Sequence, residues 1–399
     1  MILRNELVGS FFYGKEMNVL MLNYEFPPIG GGAANANLHL LKEYAGKGEL
    51  RVDVLTSAAK PGFSQEEYSE NITIYKVGLH KKSLHLWRRI EVIEWLIKAR
   101  GHYRRLVREN DYDLTHAFSG FPTGYLCDRG AGAMPYIISL RGSDVPGSNV
   151  RLQLDYKLLA PIFKRIWRNA AALVACSEGL KVRALEFLPS ISIDVIPNGV
   201  DLNEFSPAPA KEKGECLRLL TVGRLSATKR VEMLIEAVEI LRNENIKIHL
   251  TVAGGGAMEG RLKQMIEHKG LGEIVEMDGR VEAENMPALY RQSDVLVSAT
   301  MQEGMSNAML EAMASGLPIV ATRCEGAEEL MGDNGIVVKQ GGAKAIADAV
   351  RSLAGSRQRY EQMSKAARSR AERFSWKSVA EKYLSCYNAV MNSLTGHRA

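Results

Sequence analysis

The chain has 399 residues, of which 46% are hydrophobic and 24% charged, and its mean hydropathy is −0.13. These values exclude a disordered, fibrous or small single-module protein, and the length favours two domains. The formal net charge of +5 is too small to indicate a dedicated nucleic-acid-binding protein.

The N-terminus and the cysteines narrow the class of protein further. Residues 1–16 are too short and too charged for a signal peptide, so we interpret them as an N-terminal extension. No apolar run approaches the roughly 20 residues that a membrane-spanning helix needs. The five cysteines are far apart and include no C-x-x-C pair, which favours a reducing compartment such as the cytoplasm over a disulfide framework or a structural zinc site.

An alternation of apolar strands with loops or helices begins at Met17. The first strand leads into Gly30, Gly31 and Gly32 and then into a helical stretch. Further strands are predicted at 51–57, 71–77, 112–118, 135–140, 171–177 and 192–197. This alternation predicts a mainly parallel, doubly wound sheet in an N-terminal domain over residues 17–200.

The pattern restarts after residues 201–216, which are rich in proline, charged and small residues and predict a surface linker. Strands are predicted at 217–222, 247–254, 273–279, 294–300, 317–322 and 335–338. They indicate a second Rossmann-like domain over residues 217–375, and we expect a helix at 376–399 to return to the first domain. Ligands of such sheets bind beyond the carboxyl ends of the strands, so two domains in tandem predict a cleft between them.

One post-strand loop of the second domain carries two cations. Arg224 and Lys229 lie between a strand end and a helix start, where free backbone N–H groups and the helix dipole favour an anion. The planar fork of an arginine and the point charge of a lysine suit a diphosphate. On local sequence alone, a solvated basic helix start is an equal alternative.

A second post-strand loop carries two carboxylates, Glu303 and Glu311, near the start of another helix. Ser306 or Asn307 can cap that helix, and Gly304 lets the backbone approach a ligand. Taken singly, each glutamate is more often a solvated or cap-region carboxylate. Because both loops follow strands of the same predicted sheet, the combination favours a ligand with phosphate groups and paired hydroxyls.

With these motifs the chain resembles the retaining, nucleotide-sugar-dependent glycosyltransferases that have two Rossmann-like domains (the GT-B fold), specifically the family 4-like, or group 1, enzymes. The resemblance runs from Met17 to about Asn392 and is most specific in EGMSNAMLEAMASGLPIVAT, where Glu303 and Glu311 flank seven residues. Further matches are GRLSATKR, FPPIGGGA, IPNGVD and RFSW.

The resemblance implies roles for individual residues. Arg224 and Lys229 would neutralise the donor diphosphate, and Glu303 would hydrogen-bond the donor sugar, which makes these three the expected catalytic residues. Glu311 would hold the ribose hydroxyls. The remaining donor contacts that it implies are Gly31, Gly32, Gly279, Arg280, Gly304, Met305, Ser306 and Asn307. It also implies a glycan or lipid-linked acceptor in cell-envelope synthesis, and neither a metal nor any cofactor besides the nucleoside diphosphate sugar as co-substrate.

One position departs from the family pattern. Many members have His-Gly after the strand predicted at 135–140, whereas this chain has Arg141 followed by glycine. Arg141 is therefore a candidate to hold a phosphate or an acidic group of the acceptor, or a different hydroxyl contact takes over the role of the histidine. Asp144 and His116 are further candidate contacts to acceptor or sugar, although a lone histidine at a strand end is more often structural.

Three alternatives compete with a glycosyltransferase. A glycoside hydrolase also uses two carboxylates, but they lie about 5–9.5 Å apart across the bond, which Glu311 inside a helix fits poorly. A nicotinamide dehydrogenase requires G-x-G-x-x-G or a final alanine, whereas the glycine turn here has Asn35 at that position. A non-catalytic nucleotide-sugar-binding module is the third, and the full set of cations and carboxylates argues against it.

Residues 80–110 contain nine basic and three acidic side chains, a local net charge of +6. Four apolar residues recur there at helical spacing near Trp87 and Trp95: Leu86, Ile90, Ile93 and Ile97. A second stretch of this kind covers residues 157–168. Basic amphipathic helices favour a peripheral contact with an anionic membrane, here at the inner face of the cell membrane, as much as they favour a solvated face over the core.

Overall fold

The structure is a computed structural model that describes residues 16–84, 86–130, 134–147, 152–209, 216–338 and 342–396. The predicted N-terminal extension lies outside these ranges except for Glu16. Residues 210–215 of the predicted linker also lie outside them.

Eight strands form the first sheet: β1 (Met17–Leu22), β2 (Leu50–Ala58), β3 (Phe63–Ser69), β4 (Ile72–Gly78), β5 (Leu114–Phe118), β6 (Tyr136–Leu140), β7 (Ala172–Ala175) and β8 (Asp194–Val195). Their order is β3-β4-β2-β1-β5-β6-β7-β8, and every neighbouring pair is parallel except β3 with β4. The helices of this half are α1 (Gly32–Tyr44), α2 (Arg89–Glu109), α3 (Thr123–Gly130), α4 (Gln153–Asn169) and α5 (Glu178–Phe187).

Six parallel strands form the second sheet: β9 (Leu217–Val222), β10 (Ile248–Ala253), β11 (Val275–Gly279), β12 (Val295–Ser298), β13 (Ile319–Thr322) and β14 (Gly335–Val338). Their order is β11-β10-β9-β12-β13-β14. The remaining helices are α6 (Val231–Asn243), α7 (Glu259–His268), α8 (Met286–Gln292), α9 (Asn307–Ala314), α10 (Glu325–Glu328), α11 (Ala343–Ala354), α12 (Arg357–Ala371) and α13 (Trp376–Gly396).

The predicted fold class, two Rossmann-like domains with a cleft between them, is confirmed. The central strands are apolar along most of their length because helices cover both faces of each parallel sheet. In β5 all five residues are buried, and in β13 all four. One cluster of buried side chains contains residues of both sheets, so the two domains pack against each other directly.

The C-terminal helix α13 packs against the first sheet. Trp376, Val379 and Tyr383 belong to the same buried cluster as residues of β1 and β2. The Trp376 ring also stacks on His39 of α1, with ring centroids 5.0 Å apart. The last helix therefore fastens the end of the chain to the N-terminal domain.

Each sheet has one topological switch point, where connections leave two adjacent strands in opposite directions. It lies between β1 and β5 in the first sheet and between β9 and β12 in the second. The carboxyl ends of two such strands form an open crevice in which ligands of doubly wound sheets bind. The fold therefore places the loops after these four strands where a ligand is expected.

Candidate active site

A cavity of about 640 Å³ lies between the two sheets. The loops after β1, β5 and β6 line it from the N-terminal domain, and the loops after β9 and β12 line it from the C-terminal domain. Its volume falls within the usual range for a small-molecule site. The cavity joins the two switch points, so groups from both domains reach one ligand.

The loop after β9 brings the two predicted cations to the cavity wall. Gly223 directly follows the strand with φ near +147°, a conformation that favours glycine, and Arg224 comes next. The Lys229 ammonium donates a hydrogen bond to the Glu303 carboxylate across the cavity wall, and the two side chains form an ion pair. Each of these two side chains is about a quarter exposed, so the pair is held at the surface of the cavity.

The loop after β12 leads into α9. Of the two predicted candidates for the N-cap, Ser306 and Asn307, the structure has Ser306 in that position. Its hydroxyl accepts a hydrogen bond from the Met309 backbone N–H at 3.4 Å. Gly304 lies against the first domain, because a Cβ atom there would be 3.4 Å from both the Arg141 carbonyl oxygen and the Cys176 sulfur. The loop that leads into the N-terminus of α9 therefore lies at the interface between the two domains.

Asn307 ties this helix start to the first domain. Its side-chain oxygen accepts a hydrogen bond from the Asn198 amide at 2.9 Å. Asn198 lies in the IPNGV segment after β8, and its backbone N–H contacts the sulfur of Met305 at 3.2 Å. Asn198 belongs to the predicted match IPNGVD, but nothing in the sequence indicated that its side chain reaches the cavity wall.

Glu311 lies one helical turn further along α9, also on the cavity wall. The Tyr290 hydroxyl donates a hydrogen bond to its carboxylate at 2.7 Å. Burial raises the pKa of the Glu311 carboxyl to about 7, even though the hydrogen bond from Tyr290 lowers it. Among the described residues, Tyr290 is the hydrogen-bond donor to this carboxyl, which also lines the cavity, and this suits an acceptor for ligand hydroxyls.

Glu25 is a cavity residue that the sequence analysis missed. It follows β1, the central strand of the first sheet, and lies against Gly30, where a Cβ atom would be only 2.6 Å from the Glu25 Cβ. Burial raises the pKa of its carboxyl, while the Gly31 N–H and the charge of Arg224 lower it. Its position in the loop after a switch-point strand is the signal that could have identified it.

Arg141 and Asp144 follow β6 and also line the cavity. The Asp144 carboxylate accepts backbone N–H groups from Gly120 at 2.9 Å, Arg141 at 2.8 Å and Gly142 at 3.0 Å. Burial raises the pKa of this carboxyl. Asp144 therefore fixes the loop that carries Arg141.

The structure contradicts the prediction that His116 contacts acceptor or sugar. The His116 side chain is fully buried, and its two ring nitrogens lie 2.7 Å from the Tyr387 hydroxyl and 2.7 Å from the Ser139 hydroxyl. Burial lowers the pKa of His116 well below its ordinary value. Its side chain points into the sheet-to-helix core instead of the cavity, because α13 covers that face of β5.

The other predicted donor contacts divide into two groups. Gly31 and Gly32 line the cavity, together with the residues of the α9 start. Gly279 and Arg280 lie at the end of β11, at the edge of the second sheet, and neither is among the described residues that line the cavity.

Within the described ranges, no group of three or more histidine, cysteine, aspartate and glutamate side chains is placed to hold a metal ion. The expectation that the reaction needs no metal stays a prediction.

All five cysteines are free thiols. No helix of the described part of the chain combines the length and the apolar character required to cross a membrane.

Two family models match consecutive parts of the chain: Glycosyltransferase Family 4 over residues 30–204 and Glycosyl transferases group 1 over residues 203–370. The chain is 29% identical to the GDP-mannose-dependent alpha-(1-6)-phosphatidylinositol monomannoside mannosyltransferase of Mycolicibacterium smegmatis over 372 residues, which cover 88% of this chain and 92% of the relative. It is 32% identical to a D-inositol 3-phosphate glycosyltransferase of Paenarthrobacter aurescens over 216 residues, 51% of this chain. That second match spans about half the relative's length, 53%.

Solved structures show the same fold at lower identity. Sucrose-phosphate synthase from Thermosynechococcus elongatus superposes with a TM-score of 0.77, covering 95% of this chain and all of that chain. The sequence identity of this pair is 20%, so the similarity concerns the fold.

Proposed function

We propose, from the premise that this chain belongs to the group 1 glycosyltransferases and has the GT-B fold, that it moves a sugar from a nucleoside diphosphate to an acceptor hydroxyl with retention at the anomeric carbon. The observation that carries this proposal is the meeting of Arg224, Lys229, Glu303 and Glu311 in one interdomain cavity. Cations suit the diphosphate, and carboxylates suit the hydroxyls of the sugar and the ribose.

In the proposed reaction the bond between the anomeric carbon and a phosphate oxygen breaks, and its electron pair stays on the diphosphate. The acceptor oxygen bonds to the same face of the anomeric carbon, and its proton goes to the leaving phosphate oxygen. Arg224 and Lys229 stabilise the negative charge that grows on the diphosphate. Because Glu303 already holds the Lys229 ammonium in place, little reorganisation is needed as that charge develops.

Arg224→Ala is expected to weaken the binding of UDP or GDP at least tenfold while changing the binding of uridine or guanosine much less. Arg224 is exposed on the cavity wall, and a charge-assisted hydrogen bond to phosphate contributes about 1.5–3 kcal/mol. Titration calorimetry measures both affinities, and Arg261→Ala, at an exposed position on α7, is the control. Equal losses for nucleotide and nucleoside would refute the assignment of Arg224 to the diphosphate.

Turnover separates a transferase from a non-catalytic binding module. The purified chain is expected to consume a UDP- or GDP-linked sugar by transfer or slow hydrolysis, with chelator present as well as absent. Thermal stabilisation by nucleoside diphosphates with no consumption of any donor would instead indicate a binding module. Activity that disappears with chelator and returns with a divalent cation would contradict the metal-independent mechanism.

We also propose that the acceptor is a glycan or lipid-linked group reached at the inner face of the cell membrane. The motivating feature is an exposed apolar surface on and beside α2 and α4, which we call the docking face: Leu86, Ile90, Ile93, Ile97, Leu154 and Leu158. These side chains are 54–71% exposed. Arg89 of α2 and Asp155 of α4 form an ion pair at 2.8 Å, so the first turns of the two helices lie next to each other.

The structure changes which residues of the basic segment can meet a membrane. Trp95 is fully buried, and Trp87 packs edge-on against Tyr24 with ring centroids 4.7 Å apart. Lys81 is also buried, and its ammonium lies 2.9 Å from the carboxylate of buried Glu91. The isoleucines and leucines of the docking face therefore supply the apolar contribution to the proposed docking. Lys81 instead belongs to a structural ion pair with Glu91.

Changing Ile90, Ile93 and Ile97 together to Ser is expected to reduce co-sedimentation with anionic phospholipid vesicles at least tenfold, because these three exposed side chains would insert at the interface. Wild-type binding should also fall with added salt and with lower anionic lipid content. Val182→Ser, which removes an exposed apolar side chain of α5 outside the docking face, is the control. A wild-type protein that stays in the supernatant at low salt would contradict membrane docking.

A further inference from the structure

The guanidinium of Arg141 lies in the cavity wall with only neutral partners. Its Nη1 donates a hydrogen bond to the Asn198 side-chain oxygen at 2.7 Å, and its Nη2 donates to the Tyr383 hydroxyl at 3.1 Å. The Phe118 ring covers one face, with its centroid 4.9 Å from the guanidinium carbon. A guanidinium has five N–H donors, so three of them have no partner among the described residues, including the one on the buried Nε.

No described carboxylate neutralises this cation. Asp144, three residues away, directs its oxygens at the backbone N–H groups of Gly120, Arg141 and Gly142. Removing a charged group from water is costly unless an opposite charge and hydrogen bonds replace the lost hydration. The described protein therefore leaves the Arg141 charge uncompensated, and Arg141 lines the cavity, so a bound ligand can supply the opposite charge.

The position of Arg141 separates it from the two cations assigned to the diphosphate. Arg224 and Lys229 belong to the C-terminal domain and follow β9, whereas Arg141 follows β6 of the N-terminal domain. Asn198 links the Arg141 guanidinium to Asn307 at the first turn of α9. Arg141 thus lies beside the helix start that follows Glu303, the residue assigned to the sugar of the donor.

We infer that Arg141 binds a carboxylate on the transferred sugar, so that the donor is a nucleoside diphosphate sugar of the uronate class. This inference rests on the proposed function. A carboxylate offers the arginine fork two oxygens in a plane and supplies the negative charge that its neutral partners lack. The neutral hydroxymethyl group of an ordinary hexose would leave the cation unpaired.

Matched donor pairs test the inference, because UDP-glucuronate and UDP-glucose, or GDP-mannuronate and GDP-mannose, differ only in a carboxylate against a hydroxymethyl group. In calorimetry with the full chain, the uronate of at least one pair is expected to bind at least tenfold more tightly than its hexose. Arg141→Gln should bring that ratio close to one. Arg141→Lys, which keeps the charge and loses the fork, should give an intermediate ratio.

Several results would overturn the inference. They include a hexose that binds as tightly as its uronate in both pairs, and a uronate preference that survives in Arg141→Gln. If Arg141→Gln does not fold, as judged by its melting temperature, the ratio in Arg141→Lys decides, and an unchanged ratio there overturns it.

Two further measurements separate this inference from its alternatives. Binding of UDP or GDP alone tests the proposed function, so nucleotide binding without uronate preference rejects only the role of Arg141. Failure to bind either nucleotide rejects both proposals. Arg141-dependent binding of inorganic phosphate to the nucleotide-saturated protein, without a uronate preference, would assign Arg141 to a phosphate group of the acceptor and overturn the inference.

Discussion

Lys229→Met is expected to lower the rate of sugar transfer at least a hundredfold, which corresponds to about 2.7 kcal/mol of lost transition-state stabilisation. Methionine keeps most of the side-chain length and removes the charge. The Lys229 ammonium lies at the carboxyl end of β9 and pairs with Glu303, so its loss removes a cation from the diphosphate site. It also leaves the Glu303 carboxylate unpaired beside the incoming phosphates, and like charges repel.

Steady-state kinetics with the preferred donor measure this effect in kcat and kcat/KM. Lys263→Met is a matched control, because Lys263 forms a lysine–glutamate pair with Glu259 at 2.8 Å on α7, outside the cavity. Glu303→Gln alone is expected to cost at least tenfold. Since the two side chains interact directly, the double variant should lose less than the sum of the single effects. A Lys229→Met enzyme with near-normal kcat would refute the catalytic role.

The sequence predicted the two sheets well because buried parallel strands are short apolar runs separated by loops and helices. The antiparallel edge strand β3 was not predicted. Its sequence FSQEEYS is polar and mostly exposed, because β3 is an edge strand that pairs with β4. The helix α2 reaches it at Phe63, whose ring stacks on His102. Its partner β4 is mostly buried and was predicted.

The candidate site was predictable where the carboxyl-end rule applies and unpredictable where long-range packing decides. The positions of Lys229 and Glu303 follow from local sequence, since each lies between a switch-point strand and the helix after it. His116 lies within such a strand, and only its contact with Tyr387, 271 residues further along the chain, turns it into a core residue. The neutral surroundings of Arg141 likewise depend on Tyr383 of the C-terminal helix, which no local pattern reveals.

Glu311→Gln is expected to stabilise the fold above pH 7 while weakening donor binding at least tenfold. Burial raises the pKa of the Glu311 carboxyl to about 7, against an ordinary value of about 4.5. Between these values the folded protein holds more protons than the unfolded chain, so stability falls as the pH rises. Above pH 7 the half-buried carboxylate costs roughly 3 kcal/mol, a cost that the neutral amide avoids.

Denaturant unfolding of wild type and Glu311→Gln at pH 5 and pH 8 measures this difference, with Glu236→Gln at an exposed position of α6 as the control. The gain in the free energy of unfolding of Glu311→Gln over wild type should be small at pH 5 and largest at pH 8.

The affinity for the donor should be lower in Glu311→Gln than in wild type. A carboxylate accepts hydrogen bonds from two ribose hydroxyls, whereas the amide offers a single oxygen as acceptor. Wild-type affinity should therefore strengthen as the pH rises through 7, and the variant should lack this dependence. Equal stability of the two proteins at pH 8, with unchanged nucleoside affinity, would show that Glu311 neither destabilises the fold nor binds the donor.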